Sequence, residues 1–125
     1  MSDEDFENWV RTYIERQEMV HKPLGDNDPL FWSVLMFIDL IDEAPELCWR
    51  AILAILRCKP NDEALGMLAA GPMEDLIRYH GIEYIEKIEV EAQSNPDLKH
   101  LLGGVWRSST HAVWQRIEAI RVIPY

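Results

Sequence analysis

Glu74, Asp75 and His80 are the residues of this 125-residue sequence whose types most directly suggest chemistry. Two carboxylates close to an imidazole are the raw material of acid/base catalysis or of a metal-dependent hydrolase. Their spacing works against that use, because five or six residues of helix separate the acids from the imidazole and turn the side chains in different directions. Glu74 and Asp75 follow Pro72 and fall in the first turn of an expected helix, where carboxylates complement free amides and the positive dipole end. Glu74 also stands one turn ahead of Arg78, a spacing that suits an ion pair.

Two further spacings, Glu18-x-x-His21 and Asp97-x-x-His100, resemble half of a di-iron site in a helical bundle. Such a site also needs an inward glutamate from each of two other helices, whereas these pairs fall at expected helix ends. The sequence has no Gly-rich phosphate loop, Gly-x-Ser-x-Gly elbow, His-Glu-x-x-His or Cys-x-x-Cys. No catalytic residue, metal ligand or cofactor is therefore expected. Cys48 and Cys58, ten residues apart on one expected helix, would lie about 15 Å from each other, too far for a disulfide. Both are expected as small core residues. Asp39 interrupts the otherwise apolar segment 30–41 and should be exposed, hydrogen-bonded or paired with Arg50 or Arg57, pairing as a structural buried acid being the favoured reading.

Charge narrows the partners. The net charge is −10, with nine acids against two bases in residues 61–98 and one acid against four bases in residues 99–125. Such a field repels nucleic-acid phosphates and anionic membranes and speeds encounter with cationic proteins; the alternative reading, that the acidity only keeps the domain soluble, stands beside it. No stretch reaches the roughly eighteen apolar residues of a membrane span, and the acidic start does not read as a signal peptide, so a cytoplasmic location is expected.

These residues must be held by helices. Phe6, Trp9, Val10, Tyr13 and Ile14 mark one face of a helix from Asp3 to about Val20. Asp28-Pro29 opens a segment apolar on nearly every side, which must be covered all round, and Pro45 starts its partner, stopped at Lys59-Pro60. Asp62 is expected to cap a short helix broken at Gly71-Pro72, followed by another that Gly81 ends in the left-handed conformation. Asn95-Pro96 opens a helix that Gly103-Gly104 ends, and Ser109 or Thr110 caps the last one. No period-two pattern competes. Of five tryptophans, Trp9, Trp32, Trp49 and Trp114 fall on apolar faces and are expected in the core, while Trp106 sits in a loop beside Arg107, either as a plug at the end of the bundle or as a partner contact.

The triplet Trp49/Ile52/Ile55 recurs as Ile82/Ile85/Ile88 and Trp114/Ile117/Ile120, at offsets of 33 and 32 residues. The expectation is one all-α domain over residues 1–125, with about seven helices. An N-terminal helix (1–20) precedes successive antiparallel pairs at 28–59, 62–93 and 95–121, arranged as an α-solenoid or as an irregular helical bundle.

Leu68-Ala69-Ala70-Gly71-Pro72-Met73-Glu74-Asp75-Leu76, then His80-Gly81, Leu102-Gly103-Gly104-Val105-Trp106 and Val113-Trp114, occur in that order. In this the chain resembles a family of small bacterial proteins known only as a domain of unknown function, over roughly Phe31 to Arg121. The resemblance implies a bacterial cytoplasmic helical protein and directs attention to Glu74, Asp75, His80, Trp106 and Trp114.

The functional expectation is a non-enzymatic protein-binding module facing a basic protein, for example an immunity or antitoxin protein that blocks a basic nuclease. Glu74, Asp75, Arg78, His80, Trp106 and Arg107 are its candidate partner-binding residues. The alternatives are a hydrolase or metal-dependent enzyme centred on Glu74, Asp75 and His80, and a structural homo-oligomer.

Overall fold

The structure, a computed structural model, describes residues 1–19 and 28–122, and every regular element among them is helical. Helix α1 (Asp3–Glu18) is opened by Ser2, whose Oγ accepts a hydrogen bond from the Asp5 amide at 3.1 Å. The expected end at Val20 lies outside the described residues. Trp9 and Tyr13 of α1 meet Phe37 at ring-centroid distances of 4.6 and 5.1 Å, and the buried Trp9 indole donates to the Ser33 carbonyl at 2.9 Å. The hydrogen bond removes the cost of burying that N–H, so the aromatic cluster can pin α1 to the next helix.

Helices α2 (Trp32–Glu43) and α3 (Pro45–Arg57) form the expected hairpin, joined by Ala44 alone. Asp28 does not cap α2 itself. Its carboxylate accepts from the Leu30 amide at 2.9 Å, making a turn that precedes the helix, and Phe31 takes the N-cap position. α3 buries Cys48, Trp49, Ala51, Ile52 and Ile55 and stops where Lys59 adopts a φ of 52° before Pro60.

The second expected pair is corrected. Asn61, one residue before Asp62, caps α4 (Asp62–Leu68) by accepting from the Ala64 amide at 2.9 Å. Gly71-Pro72 does not break the chain: a π-turn (Ala69–Met73) carries it directly into α5 (Glu74–Ser94), and the helical path is interrupted instead at His80, where two helical stretches meet at a kink. The Glu74 amide reaches back five residues to the Ala69 carbonyl, and the widened turn accommodates a proline that an α-turn would exclude. α5 bends at His80, whose φ/ψ of −134°/20° leave the helical region.

The expected interruption is present one residue earlier, at His80, but Gly81 does not adopt the left-handed conformation; it is needed for space. A Cβ there would lie 2.7 Å from Ser109 Oγ and 3.1 Å from Val113 Cγ1, so its absence lets the last helix approach. Ile82 is 71% exposed, against its expected place in a buried triplet, while Tyr84, Ile85, Ile88 and Ala92 form the inner face. Positions three apart drift by about 60° per step around a helix, so a triplet sweeps about 120° and its outermost member can leave the core.

Asn95 caps α6 (Pro96–Leu102), accepting from the Leu98 amide at 3.1 Å, and Thr110 caps α7 (His111–Ile120), accepting from the Val113 amide at 3.2 Å. Between them, Gly103 lies against the returning chain: Val122 donates to the Lys99 carbonyl at 3.0 Å, and a Cβ on Gly103 would stand 2.1 Å from the Val122 carbonyl oxygen. α3 touches α1, α2, α5, the π-turn and also α6. A solenoid confines each repeat to its sequential neighbours, so these cross-contacts make the molecule an irregular helical bundle.

Candidate functional site

His80 is held in place by its neighbours. Its Nε2–H donates to the Ile41 carbonyl at 2.7 Å, and since a carbonyl only accepts, Nε2 carries the hydrogen. Ile41 lies in the last turn of α2, where carbonyls lack helical partners, so the ring caps that helix from the bend of α5. The carboxylates within ion-pairing distance of the ring are those of Asp42 and Glu83, each at 3.8 Å, and not Glu74 or Asp75.

Glu74 and Asp75 leave the π-turn half-buried, and burial raises the Asp75 carboxyl above its usual range, with Arg78 opposing and Glu74 adding to the shift. The field of Asp75 reaches Cys48, whose thiol is pushed up to about 12 by burial first and by that carboxylate second. A thiol so protonated is a core group and a poor nucleophile. Arg78 and His80 share an open notch of about 380 Å³ with Ser109 and Thr110. The three residues of the hydrolase reading therefore do not line one cleft.

Trp106 and Arg107 sit apart from these, at the end of the bundle. Trp106 is 76% exposed and overlooks a notch of about 410 Å³ bordered by Gly103, Trp114 and Arg121. Both arginines of this corner already have contacts: Arg107 Nη2 donates to His111 Nδ1 at 3.0 Å, and the Arg121 guanidinium stacks 5.3 Å from the Trp114 ring centre. The six candidate partner-binding residues thus occupy three separate places.

Of the two carboxylate-x-x-histidine pairs, Asp97 is bridged to Lys59 and Glu18 accepts from the Asn61 amide at 2.9 Å, while His21 lies outside the described residues. Among the described residues no group of three potential metal ligands forms.

Two further expectations are corrected by one fact: among the described residues, α2 is covered on its inner side only. Asp39 is exposed, not a buried acid, and has no ion pair with Arg50 or Arg57 among the described residues. Trp32 is 38% exposed, not core, and Leu35 and Ile38 beside it are 46% and 56% exposed. Helices α1, α3 and α5 pack on the opposite side of α2. Cys58 is also exposed, because it falls where α3 has ended; Cys48 is buried as expected.

A cluster that sequence reasoning missed joins α3 to α5. Tyr84 donates to Glu46 Oε2 at 3.0 Å and Lys87 donates to the same oxygen at 2.8 Å. The Lys87 hydrogen bond holds the Glu46 carboxyl below its usual range, and burial, then Glu46, pushes the Tyr84 phenol up to about 12. No local spacing signals this, because the partners come from helices 38 or more residues apart.

These features define an all-helical protein with shallow notches and separated polar clusters. The chain belongs to a family of unknown function (DUF6869), which matches residues 20–124. No curated protein and no solved structure is significantly similar to it. Among the described residues no helix is long and apolar enough to cross a membrane.

Proposed function

We propose that the protein is a non-enzymatic binding module whose acidic surface receives a basic protein partner. A concrete form is a bacterial cytoplasmic immunity or antitoxin protein that neutralises a basic nuclease. The observation that supports this reading is how the charges are used. Arg16 pairs with Asp28, Lys59 with Asp97, Lys87 with Glu46 and Arg116 with Glu89. Each bridge takes one base and one acid out of the surface field, so pairing leaves the net charge of −10 undiminished. Acids outside these bridges outnumber the bases outside them, and such a surface accelerates encounter with a cationic protein and discriminates against nucleic acid.

Affinity capture from cells of the source organism, washed at low and at high salt and read by mass spectrometry, tests the reading. A basic protein retained at low salt and released at high salt supports it. Partners without a basic member, or binding indifferent to salt, count against it.

A further inference from the structure

We propose that the outer face of α2 is the docking surface for a basic amphipathic helix of a protein partner; this rests on the basic-partner reading above and locates it. Phe31, Leu35 and Ile38 recur at i, i+4 and i+7, and Trp32 borders them; all four are between 37% and 56% exposed. Side chains at that spacing form one stripe along a helix, the pattern by which helices dock on one another. Scattered exposed apolar residues are ordinary on a protein surface, but three large ones along α2 together with Phe31 at its N-cap form a contiguous patch that invites a partner.

Charge identifies the occupant. α2 contains no lysine, arginine or histidine, and its three acids, Asp39, Asp42 and Glu43, all lie in its second half on the exposed side. At the other end Arg16 of α1 stacks 5.1 Å from the Phe31 ring centre and is paired with Asp28, so the unmatched charge is at the acidic end. Asp39 and Glu43 make no ion pair among the described residues. The C-terminal end of the helix dipole adds partial negative charge at the same place. A second copy of this chain would bring its own acids and its own charge of −10 to the contact. A helix with an apolar stripe flanked by lysines or arginines would cover the four side chains and pair with the acids.

The face is also prepared to bind. Phe37, Ser33 and Ile41 on the inner side of α2 are buried, Trp9 bonds the Ser33 carbonyl, and His80 bonds the Ile41 carbonyl. Both halves of the helix are thus fixed from beneath, so binding orders little backbone.

The test is a titration of the full chain with a synthetic leucine/lysine amphipathic helix of about 14 residues, followed by backbone amide shifts, at low salt and at about 0.5 M salt. Amide shifts concentrated at residues 31–43 are expected. Leu35→Ser with Ile38→Ser, and separately Asp39→Asn with Glu43→Gln, should each weaken binding about tenfold or more. All four side chains are exposed, so the variants should melt as the parent does. The control Glu4→Gln with Glu7→Gln on α1 should change affinity less than about twofold, which is ordinary for a rim charge.

Binding that maps to α1 or α5 and ignores the α2 variants overturns this proposal while leaving the basic-partner reading standing. No binding of the cationic helix at any salt overturns both. A two-chain mass by light scattering that Leu35→Ser with Ile38→Ser reduces to one chain overturns the proposal in favour of a second copy as the occupant.

Discussion

The outer face of α2 and the Trp106 corner both present large apolar side chains to solvent, and they differ in what surrounds those side chains. At the corner, the polar neighbours are arginines that already have internal contacts with His111 and Trp114. On α2, Arg16 stacks on Phe31 at one end, while the rest of the stripe is flanked by the carboxylates of Asp39, Asp42 and Glu43, of which Asp39 and Glu43 have no ion pair among the described residues. The supports differ too: Trp106 stands on the loop between α6 and α7, whereas the α2 stripe is the reverse side of a helix fixed by Trp9, Phe37 and His80. The most exposed tryptophan is therefore not the best candidate for contact. A partner gains more from a rigid surface whose charges are still unmatched.

The comparison breaks first if α2 is not anchored as described. Trp9→Ala removes a fully buried side chain and its bond to Ser33, and should cost about 3–5 kcal/mol in urea unfolding. A loss under about 1 kcal/mol would detach the stripe from its foundation. Next in size, Gly103→Ala forces a methyl against the Val122 carbonyl and should cost roughly 1–3 kcal/mol by the same measurement, since backbone must move to admit it. An unchanged midpoint would mean that the corner is not strapped by the returning chain.

Smaller effects sharpen the contrast. Trp106→Ala should change stability by no more than about 0.5 kcal/mol, as expected of an exposed side chain, and should leave affinity for the cationic helix unaltered. A large loss of stability would recast Trp106 as a plug at the end of the bundle. Smallest of all is Asp75→Asn. Burial raises the folded-state pKa of Asp75 above its unfolded value, so the native protein bears the cost of the charge above the folded pKa and is relieved of it as pH falls below the unfolded one. The variant should melt slightly higher than the parent at neutral pH, with the difference vanishing below about pH 4, where both forms are neutral. A difference that persists in acid would trace to packing instead of charge.

Features governed by a few adjacent residues were legible in the sequence. The caps at Asn95 and Thr110, the proline openings of α3 and α6, and the buried faces of α1, α3 and α7 follow from capping chemistry and helical period. Properties set by distant neighbours were not. An apolar stretch such as 30–41 calls for cover, but whether this chain provides it depends on how many helices reach that side, and Asp39 and Trp32 were misplaced accordingly. Gly71-Pro72 reads as a break because both residues disfavour an α-helix, yet a single wide turn accommodates them. His80 stood out as a possible reactive group; its place beneath α2 depends on the bend it carries, which only tertiary contacts reveal.

That wide turn has a consequence for chain length. A π-turn holds one residue more than the α-turn it replaces, and because the wider turn rotates the chain less per residue, the helix beyond it leaves in nearly the same register. Shortening Ala69–Met73 by one position would restore an α-turn and leave Ile85 and Ile88 facing the interior, but Pro72, where retained, would then stand inside an α-turn that excludes it. The segment thus takes up one surplus residue without turning α5, and deletion of Pro72 itself should be better tolerated than deletion of a residue within α5.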